Sequence, residues 1–335
     1  MRIGVDAMGS DHAPGVEVKG ALAARFLVEA GDQIVLVGDE QAIRQHLDDA
    51  DWADFIEVRH ADQTIGMDEA PVEALRSKPD SSIAILAQMH AEEQVDACIS
   101  AGNTGAFVAA AQMHLRRLEG VHRPGIAVLT PTFHGPVAVC DVGANVNCRP
   151  QHLQQYGIMA SVYLTALCGV ENPRVGLLSI GEEDAKGNSL VKEARELMKS
   201  DERQNFVGNV EGRDLFGGAC DVLVCEGFVG NVVLKVIEGM SAGVMHGLMH
   251  ELIQALPDLA EEIEKAGTDL MTKYDFNEYG GAPLLGAGGI CIICHGASDH
   301  RGIMHAIAGA RSLATHGVNE RISELLSADK RTAHA

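Results

Sequence analysis

The sequence predicts an α/β fold: a doubly wound, mainly parallel sheet with helices on both faces. Three observations point there. Short β-branched runs alternate with longer helical patterns along the 335 residues, as strands joined by covering helices do. Several strands end in a glycine-rich turn that opens directly into a helix. Aromatic residues make up only 4% of the chain while glycine fills 37 positions, so the core is aliphatic and the backbone turns tightly.

The elements follow in order. Arg2 to Ala7 reads as a strand, and Pro14 to Ala30 as a helix with proline in its first turn and Gly31 past its end. Gln33 to Gly38 is a strand and Glu40 to Leu47 a helix. Ala97 to Ser100 is a strand running into a helix over Thr104 to Leu118. Ile126 to Thr130 and Val137 to Asp141 form a strand pair across a proline-containing turn. Gln151 to Leu167 is helical, Arg174 to Ile180 a strand, Ser189 to Met198 a helix and Asp221 to Cys225 a strand. Val232 begins a long helix, Ile290 to Cys294 is a late strand, and Gly302 to Leu313 with Val318 to Leu326 close the chain as helices. The expected organisation is one large α/β unit over residues 1–335, with room for two subdomains sharing a cleft, and a protruding helical segment over 240–275.

Composition excludes several classes of function. With 26 Lys and Arg against 47 Asp and Glu, the net charge is −21, which argues against nucleic acid as a partner and against electrostatic adhesion to anionic membranes. The uncharged stretches Pro124 to Cys140 and Tyr279 to Ser298 are interrupted by proline and glycine and fit buried strands and loops. The opening residues read as a strand and not an export signal, so the expected setting is cytoplasmic, with the eight cysteines reduced and in the core. Cys291-Ile-Ile-Cys294-His295 matches a haem-attachment pattern, but within an expected buried strand it reads as core packing. Val244, Met245, Leu248, Met249, Leu252, Ile253 and Leu256 recur at helical spacing ahead of Pro257, which fits either a dimer or core contact or a hairpin lying on a bilayer.

Chemistry is carried by the strand-to-helix turns: Asp6 to Pro14, Ser100 to Gly105, Gly181 to Asn188, and Gly227 to Asn231. In open α/β sheets such turns gather at the carboxyl edge, where glycine admits close backbone approach and helix-start N–H groups hold an anion. The ligand so implied is an anion such as phosphate. Nucleotide fingerprints, a nucleophile elbow and metal-ligand spacings are all missing, and the acidic run Glu182-Glu183-Asp184 reads as solvated. The expected chemistry uses no metal, no cofactor and no covalent intermediate.

These residues, in this order, resemble the bacterial acyl-ACP:phosphate acyltransferases of phospholipid synthesis. The resemblance runs through Val5-Asp6-Ala7-Met8-Gly9-Ser10-Asp11-His12, Ser100-Ala101-Gly102-Asn103-Thr104-Gly105, Asp141-Val142-Gly143-Ala144-Asn145 and Lys186-Gly187-Asn188. It continues through Gly208-Asn209, Gly227-Phe228-Val229-Gly230-Asn231, Gly280 to Gly286 and His295-Gly296. Ser10 stands where the family usually has glycine, so this position does not demand positive φ; Glu226 replaces the usual aspartate. The resemblance implies a fold similar to isocitrate/isopropylmalate dehydrogenases and phosphotransacetylases, a homodimer, and transfer of a fatty acyl group from acyl carrier protein to inorganic phosphate. It also implies peripheral contact with the inner face of the membrane and with a downstream glycerol-phosphate acyltransferase.

The catalytic candidates are Lys186, Asn231 and His12. Lys186 is the cation of the glycine-rich turns, Asn231 is a helix-start amide that serves as cap or anion donor, and His12 has the pKa range of a proton carrier. The substrate and phosphate candidates are Asp6, Gly9, Ser100, Gly102, Asn103, Thr104, Gly105, Asn145, Asn188 and Gly230. The rival readings are a short-chain phosphotransacetylase or phosphotransbutyrylase using acyl-CoA, a decarboxylating dehydrogenase, and a non-catalytic membrane-surface scaffold.

Overall fold

A computed structural model describes residues 1–47, 52–273 and 279–332. In chain order the elements are β1 (Arg2–Asp6), α1 (Gly15–Ala23), β2 (Gln33–Gly38), α2 (Glu40–Leu47), β3 (Ile56–His60), α3 (Pro71–Ser77), α4 (Ser82–Ala91), β4 (Ala97–Ser100) and α5 (Thr104–His114). There follow β5 (Gly125–Thr130), β6 (Val137–Cys140), α6 (Pro150–Cys168), β7 (Arg174–Ser179), α7 (Ser189–Lys199), β8 (Asn205–Glu211) and β9 (Val222–Val224). The chain continues through α8 (Gly227–Ala255), α9 (Ala260–Lys273), β10 (Ala282–Leu285), β11 (Ile290–Ile293), α10 (His300–Thr315) and α11 (Val318–Thr332).

The strands form one eleven-stranded sheet in the order β3-β2-β1-β4-β11-β10-β5-β6-β9-β7-β8. Its pairings are mainly parallel; β11–β10, β10–β5 and β5–β6 are antiparallel. Alternation along each strand divides the core between two faces. On β2, Ile34 and Leu36 join one cluster, which α1, α2, α6, α7, α10 and α11 complete, while Val35 and Val37 join a second under α3, α4 and α5.

Four expected helix boundaries move, one of them the end of α11, which runs on to Thr332 and not Leu326. α1 stops at Ala23, where the chain tightens into a 3₁₀ turn over Ala24–Phe26 and the Leu27 N–H bonds back to the Ala24 carbonyl at 2.8 Å. α5 ends at His114, ahead of Arg116 at φ 62°. α8 starts at Gly227 rather than Val232, so the glycines read as a turn are its first helical residues. Strands β3, β8 and β10 and helices α3 and α4 carried too weak a period, or too many glycines nearby, to be expected.

Helix α8 is 29 residues long and apolar enough to cross a membrane by length and composition, but little of it is buried inside the fold. Only its first turns pack on the sheet, with Leu234 and Ile237 against the second core face. Beyond them Met240, Val244, Leu248, Leu252 and Leu256 are exposed. After Pro257 the chain returns as α9, whose Gly267 faces the Met249 side chain. The segment expected over 240–275 is thus a helical hairpin, its residues 274 and 275 lying outside the described ones.

Candidate functional site

The register separates the glycine-rich turns into two groups. β1, β4 and β11 run parallel, and three antiparallel steps through β10, β5 and β6 reverse the sense of β6, β9 and β7. The turns after β1 and β4 therefore leave one edge of the sheet, and those after β6, β7 and β9 leave the other. The expected gathering of all four at one edge is corrected: a central antiparallel block, invisible in local pattern, divides them.

At the first edge Asp6 and Ser100 are buried, and the Ser100 hydroxyl donates to Asp6 Oδ2 at 2.7 Å. The Gly102 N–H donates to Ser100 Oγ at 3.1 Å and the Met8 N–H to Asp6 Oδ1 at 3.1 Å. Gly9 lies against this pair: a Cβ there would sit 2.6 Å from Gly102 N and 2.7 Å from Asp6 Oδ2. Only glycine fits between the two turns. Asn103 caps α5 by accepting the Ala106 N–H at 3.0 Å, while its amide donates to the carbonyls of Gly66 and Glu69, each at 3.0 Å. That amide fastens the 66–69 loop. Thr104 and His12 are exposed, and Gly105 lies against Pro71.

Beneath this edge, on α1, lies Glu17. It is fully buried, accepts the Ser10 N–H at 3.0 Å through Oε1, and has no hydrogen-bond partner at Oε2. Burial pushes its carboxyl above the usual carboxylate range against the pull of Ser10, and burial does the same to Asp6 against the Ser100 bond. Ser10 adopts no left-handed backbone, in keeping with serine at that position.

At the second edge Asp141 organises its turn. Oδ1 accepts the N–H groups of Ile126, Gly143 and Ala144 at 2.9–3.1 Å, and Oδ2 accepts the Asn145 N–H at 2.8 Å. The Asn145 amide donates to the Pro124 carbonyl at 2.7 Å and the Tyr156 hydroxyl at 2.9 Å, so it braces the turn from within. The start of α8 docks here: Gly227 N–H donates to the Asn145 carbonyl at 2.8 Å, and a Cβ on Gly230 would fall 1.9 Å from the Asp141 carbonyl oxygen. The cap of α8 is Glu226, whose carboxylate accepts from Phe228 N at 2.7 Å and Val229 N at 3.0 Å. Asn231 is therefore not the cap, correcting one of its two expected roles. It stands one turn inside the helix, exposed, with its Cβ 4.0 Å from the position a Cβ on Gly143 would take.

In the turn after β7, Asn188 caps α7 by accepting the Val191 N–H at 2.9 Å. The Lys186 stem lies along Gly181, and its ammonium is exposed and without an ion pair among the described residues. The acidic run beside it is exposed, as expected, and Asp184, its side chain 73% exposed, pairs with the guanidinium of the buried Arg195. β7 and β9 are parallel neighbours, so Lys186 and Asn231 leave the same edge. The starts of α6 and α7 lie at that edge too, whereas the start of α8 is docked on the Asp141 turn and capped by Glu226.

Two residues that sequence reasoning left without a role join the edges. Lys235 lies one helical turn beyond Asn231, and its Nζ stands 2.8 Å from Glu238 Oε2 and 3.1 Å from Nε2 of His295, in the turn after β11. The four-residue spacing from Asn231 was the available signal. All eight cysteines are unbridged, and Cys291 and Cys294 are buried as expected, whereas His295 is exposed.

An eleven-stranded sheet of this order, with glycine turns at both strand edges and a helix bridging them, defines an α/β protein of the phosphotransacetylase fold. The structure superposes on a phosphotransacetylase from Streptococcus pyogenes with TM-score 0.63, covering 94% of each chain at 15% identity. A 4-hydroxythreonine-4-phosphate dehydrogenase from Klebsiella pneumoniae gives TM-score 0.53 over 93% of this chain and 98% of the other, at 12% identity. A family model described as fatty acid synthesis protein matches residues 1–321. Phosphate acyltransferase of Geotalea uraniireducens is 46% identical over 329 residues, 97% of this chain and 94% of its own length. That of Nitratidesulfovibrio vulgaris is 45% identical over 333 residues, 98% and 95% respectively. The chain belongs to this family, the fatty acid synthesis proteins that include the bacterial phosphate acyltransferases, and is an acyltransferase by that membership.

Proposed function

We propose that the protein transfers a fatty acyl group from acyl carrier protein to inorganic phosphate, releasing acyl phosphate and the free carrier thiol. The observation that carries this reading is the second edge, where Lys186 and Asn231 are both exposed in a chain alike over nearly its whole length to phosphate acyltransferases. Phosphate is an anion at neutral pH and needs no strong base. One of its oxygens attacks the thioester carbonyl carbon, the carbonyl oxygen becomes an oxyanion, and the C–S bond breaks to release thiolate, which takes a proton from solvent. Lys186 supplies a mobile point charge and Asn231 an amide donor held by α8, the two kinds of group that stabilise incoming phosphate and oxyanion.

In this reading Asp6, Gly9, Ser100, Gly102, Asn103, Thr104 and Gly105 shape the opposite wall, with His12 at its rim, and Asn145, Asn188 and Gly230 set the backbone of the phosphate side. The exposed apolar face of the α8–α9 hairpin supports contact with a bilayer, where acyl phosphate passes to the next acyltransferase; a homodimer belongs to the same reading. The test is phosphate-dependent thiol release from palmitoyl-carrier protein compared with acetyl-CoA. Turnover of the carrier-bound substrate is expected. Preference for acetyl-CoA would make the protein a short-chain phosphotransacetylase, and lipid binding without turnover a scaffold.

A further inference from the structure

Beside the Asp141 turn the surface opens into a cavity lined by Arg117, His122, Arg123, Arg149 and His152, with Cys148 and neighbouring polar groups. No carboxylate lines it, in a chain whose net charge is −21. The three guanidinium groups have no ion-pair partner among the described residues; Arg117 donates to the His122 carbonyl and Arg123 to Asn145 Oδ1 at 3.4 Å. Three arginines left unneutralised in one concavity repel one another unless an anion joins them.

His152 reports that field. It is 7% exposed, and its Nδ1 accepts the Arg149 N–H at 3.1 Å, which places the proton of the neutral ring on Nε2. Burial first, then the charges of Arg123, His122 and Arg149, hold its pKa down at about 4. The His122 ring lies 6.3 Å away, centroid to centroid. The cavity also sits at the start of α6, whose first residue is Pro150, and one hydrogen bond through Arg123 links it to the turn that seats α8.

We propose that this arginine pocket binds an anionic phosphate group, through the guanidinium groups of Arg117, Arg123 and Arg149. The proposal rests on the acyl-transfer reading for its two possible sources. Free inorganic phosphate is the nucleophile, and a phosphopantetheine arm is the phosphate-bearing tether of the thioester donor. Both present the tetrahedral oxygens that arginine recognises in bidentate fashion. The pocket places that group beside the Asp141 turn, at the edge that carries Lys186 and Asn231.

The experiment follows the His152 imidazole by NMR titration in the full-length protein, with inorganic phosphate and with 4′-phosphopantetheine as separate probes. A bound phosphate anion offsets the arginine field, so the His152 pKa is expected to rise by about one unit or more with the probe that occupies the pocket. A rise with phosphate alone assigns the pocket to the nucleophile; a rise with phosphopantetheine alone assigns it to the donor arm. Arg123→Gln and Arg149→Gln are each expected to raise the His152 pKa without any probe and to remove the response. Gln154→Ala, nearby on α6, serves as a folded control that keeps it. No movement of His152 with either probe at millimolar concentration overturns the proposal. This readout does not depend on turnover, so a protein inactive toward acyl-carrier protein would refute the acyl-transfer reading and leave the pocket separately tested.

Discussion

Lys235 Nζ stands 3.1 Å from His295 Nε2, and this contact joins a helix rooted at one edge of the sheet to a strand-end turn at the other. His295 Nδ1 also lies 3.2 Å from the Ala297 N–H. A neutral imidazole has one bare nitrogen, so the ring accepts from Lys235 or from Ala297 but not from both. The pair is exposed, and its worth to stability is at most about 1 kcal/mol. Lys235→Met and His295→Ala are each expected to leave the denaturant midpoint nearly unchanged while lowering phosphate-dependent turnover about tenfold or more. Unchanged turnover in both variants would reduce the contact to surface decoration.

Lys186 and Asn231 leave the same sheet edge on neighbouring parallel strands. Losing a donor aimed at a developing oxyanion costs ~10²–10³ in rate. Each alanine variant is expected to lose about a hundredfold in kcat/KM for phosphate, with a melting temperature shifted by a few degrees at most. Because both would act on one group, the double variant is expected to lose far less than the product of the single losses. Fully multiplicative losses would place the two residues on separate groups.

Gly230 and Gly243 share one helix and differ in what surrounds them. A Cβ on Gly230 meets the Asp141 carbonyl oxygen at 1.9 Å; one on Gly243 meets nothing within 4 Å. Gly230→Ala is expected to cost about 1–3 kcal/mol through forced displacement of the α8 start, with turnover lost alongside. Gly243→Ala is expected to stabilise by up to about 1 kcal/mol through the better helix propensity of alanine. Urea unfolding of the two variants, side by side with wild type, checks both signs.

Glu17 sets a pH dependence of unusual sign. Burial raises its carboxyl above the ordinary 4.5. Between 4.5 and the raised folded value, the folded protein holds more protons than the unfolded chain, so acidification within that window favours the fold. Relative to Glu17→Gln, which has no proton to take up, wild type is expected to gain stability as pH falls from neutrality toward 4.5. Midpoints of chemical unfolding measured across that interval decide the matter. A constant difference between the two proteins would show that Glu17 titrates normally.

The α8–α9 hairpin carries acidic residues around an apolar face, so any attachment to a bilayer must be hydrophobic. Leu252→Glu and Leu256→Glu are expected to weaken cosedimentation with vesicles, at low and at high salt alike, while soluble turnover persists. If both variants instead lose folding or self-association, the face is a protein contact.

The sequence by itself determined the class of fold, most strands and the residues of every glycine-rich turn, because those depend on local periodicity and on backbone conformations that glycine permits. Buried Cys291 and Cys294 and the helix starts after Asn103 and Asn188 were legible for the same reason: cap and strand chemistry act within a few residues. Tertiary structure alone decided which turns share an edge. That depends on the antiparallel block β10–β5–β6, and β10 comes from a stretch more than 140 residues after β5 in the chain. It also decided that Glu226 and not Asn231 caps α8, since several helix starts fit the same short motif until packing against Asp141 fixes one. The meeting of Lys235 with His295, the burial of Glu17 beneath Ser10, and the convergence of Arg117, Arg123 and Arg149 each bring together side chains from separate elements. Their chemistry comes from distance and exclusion of water, which no local pattern in a chain encodes.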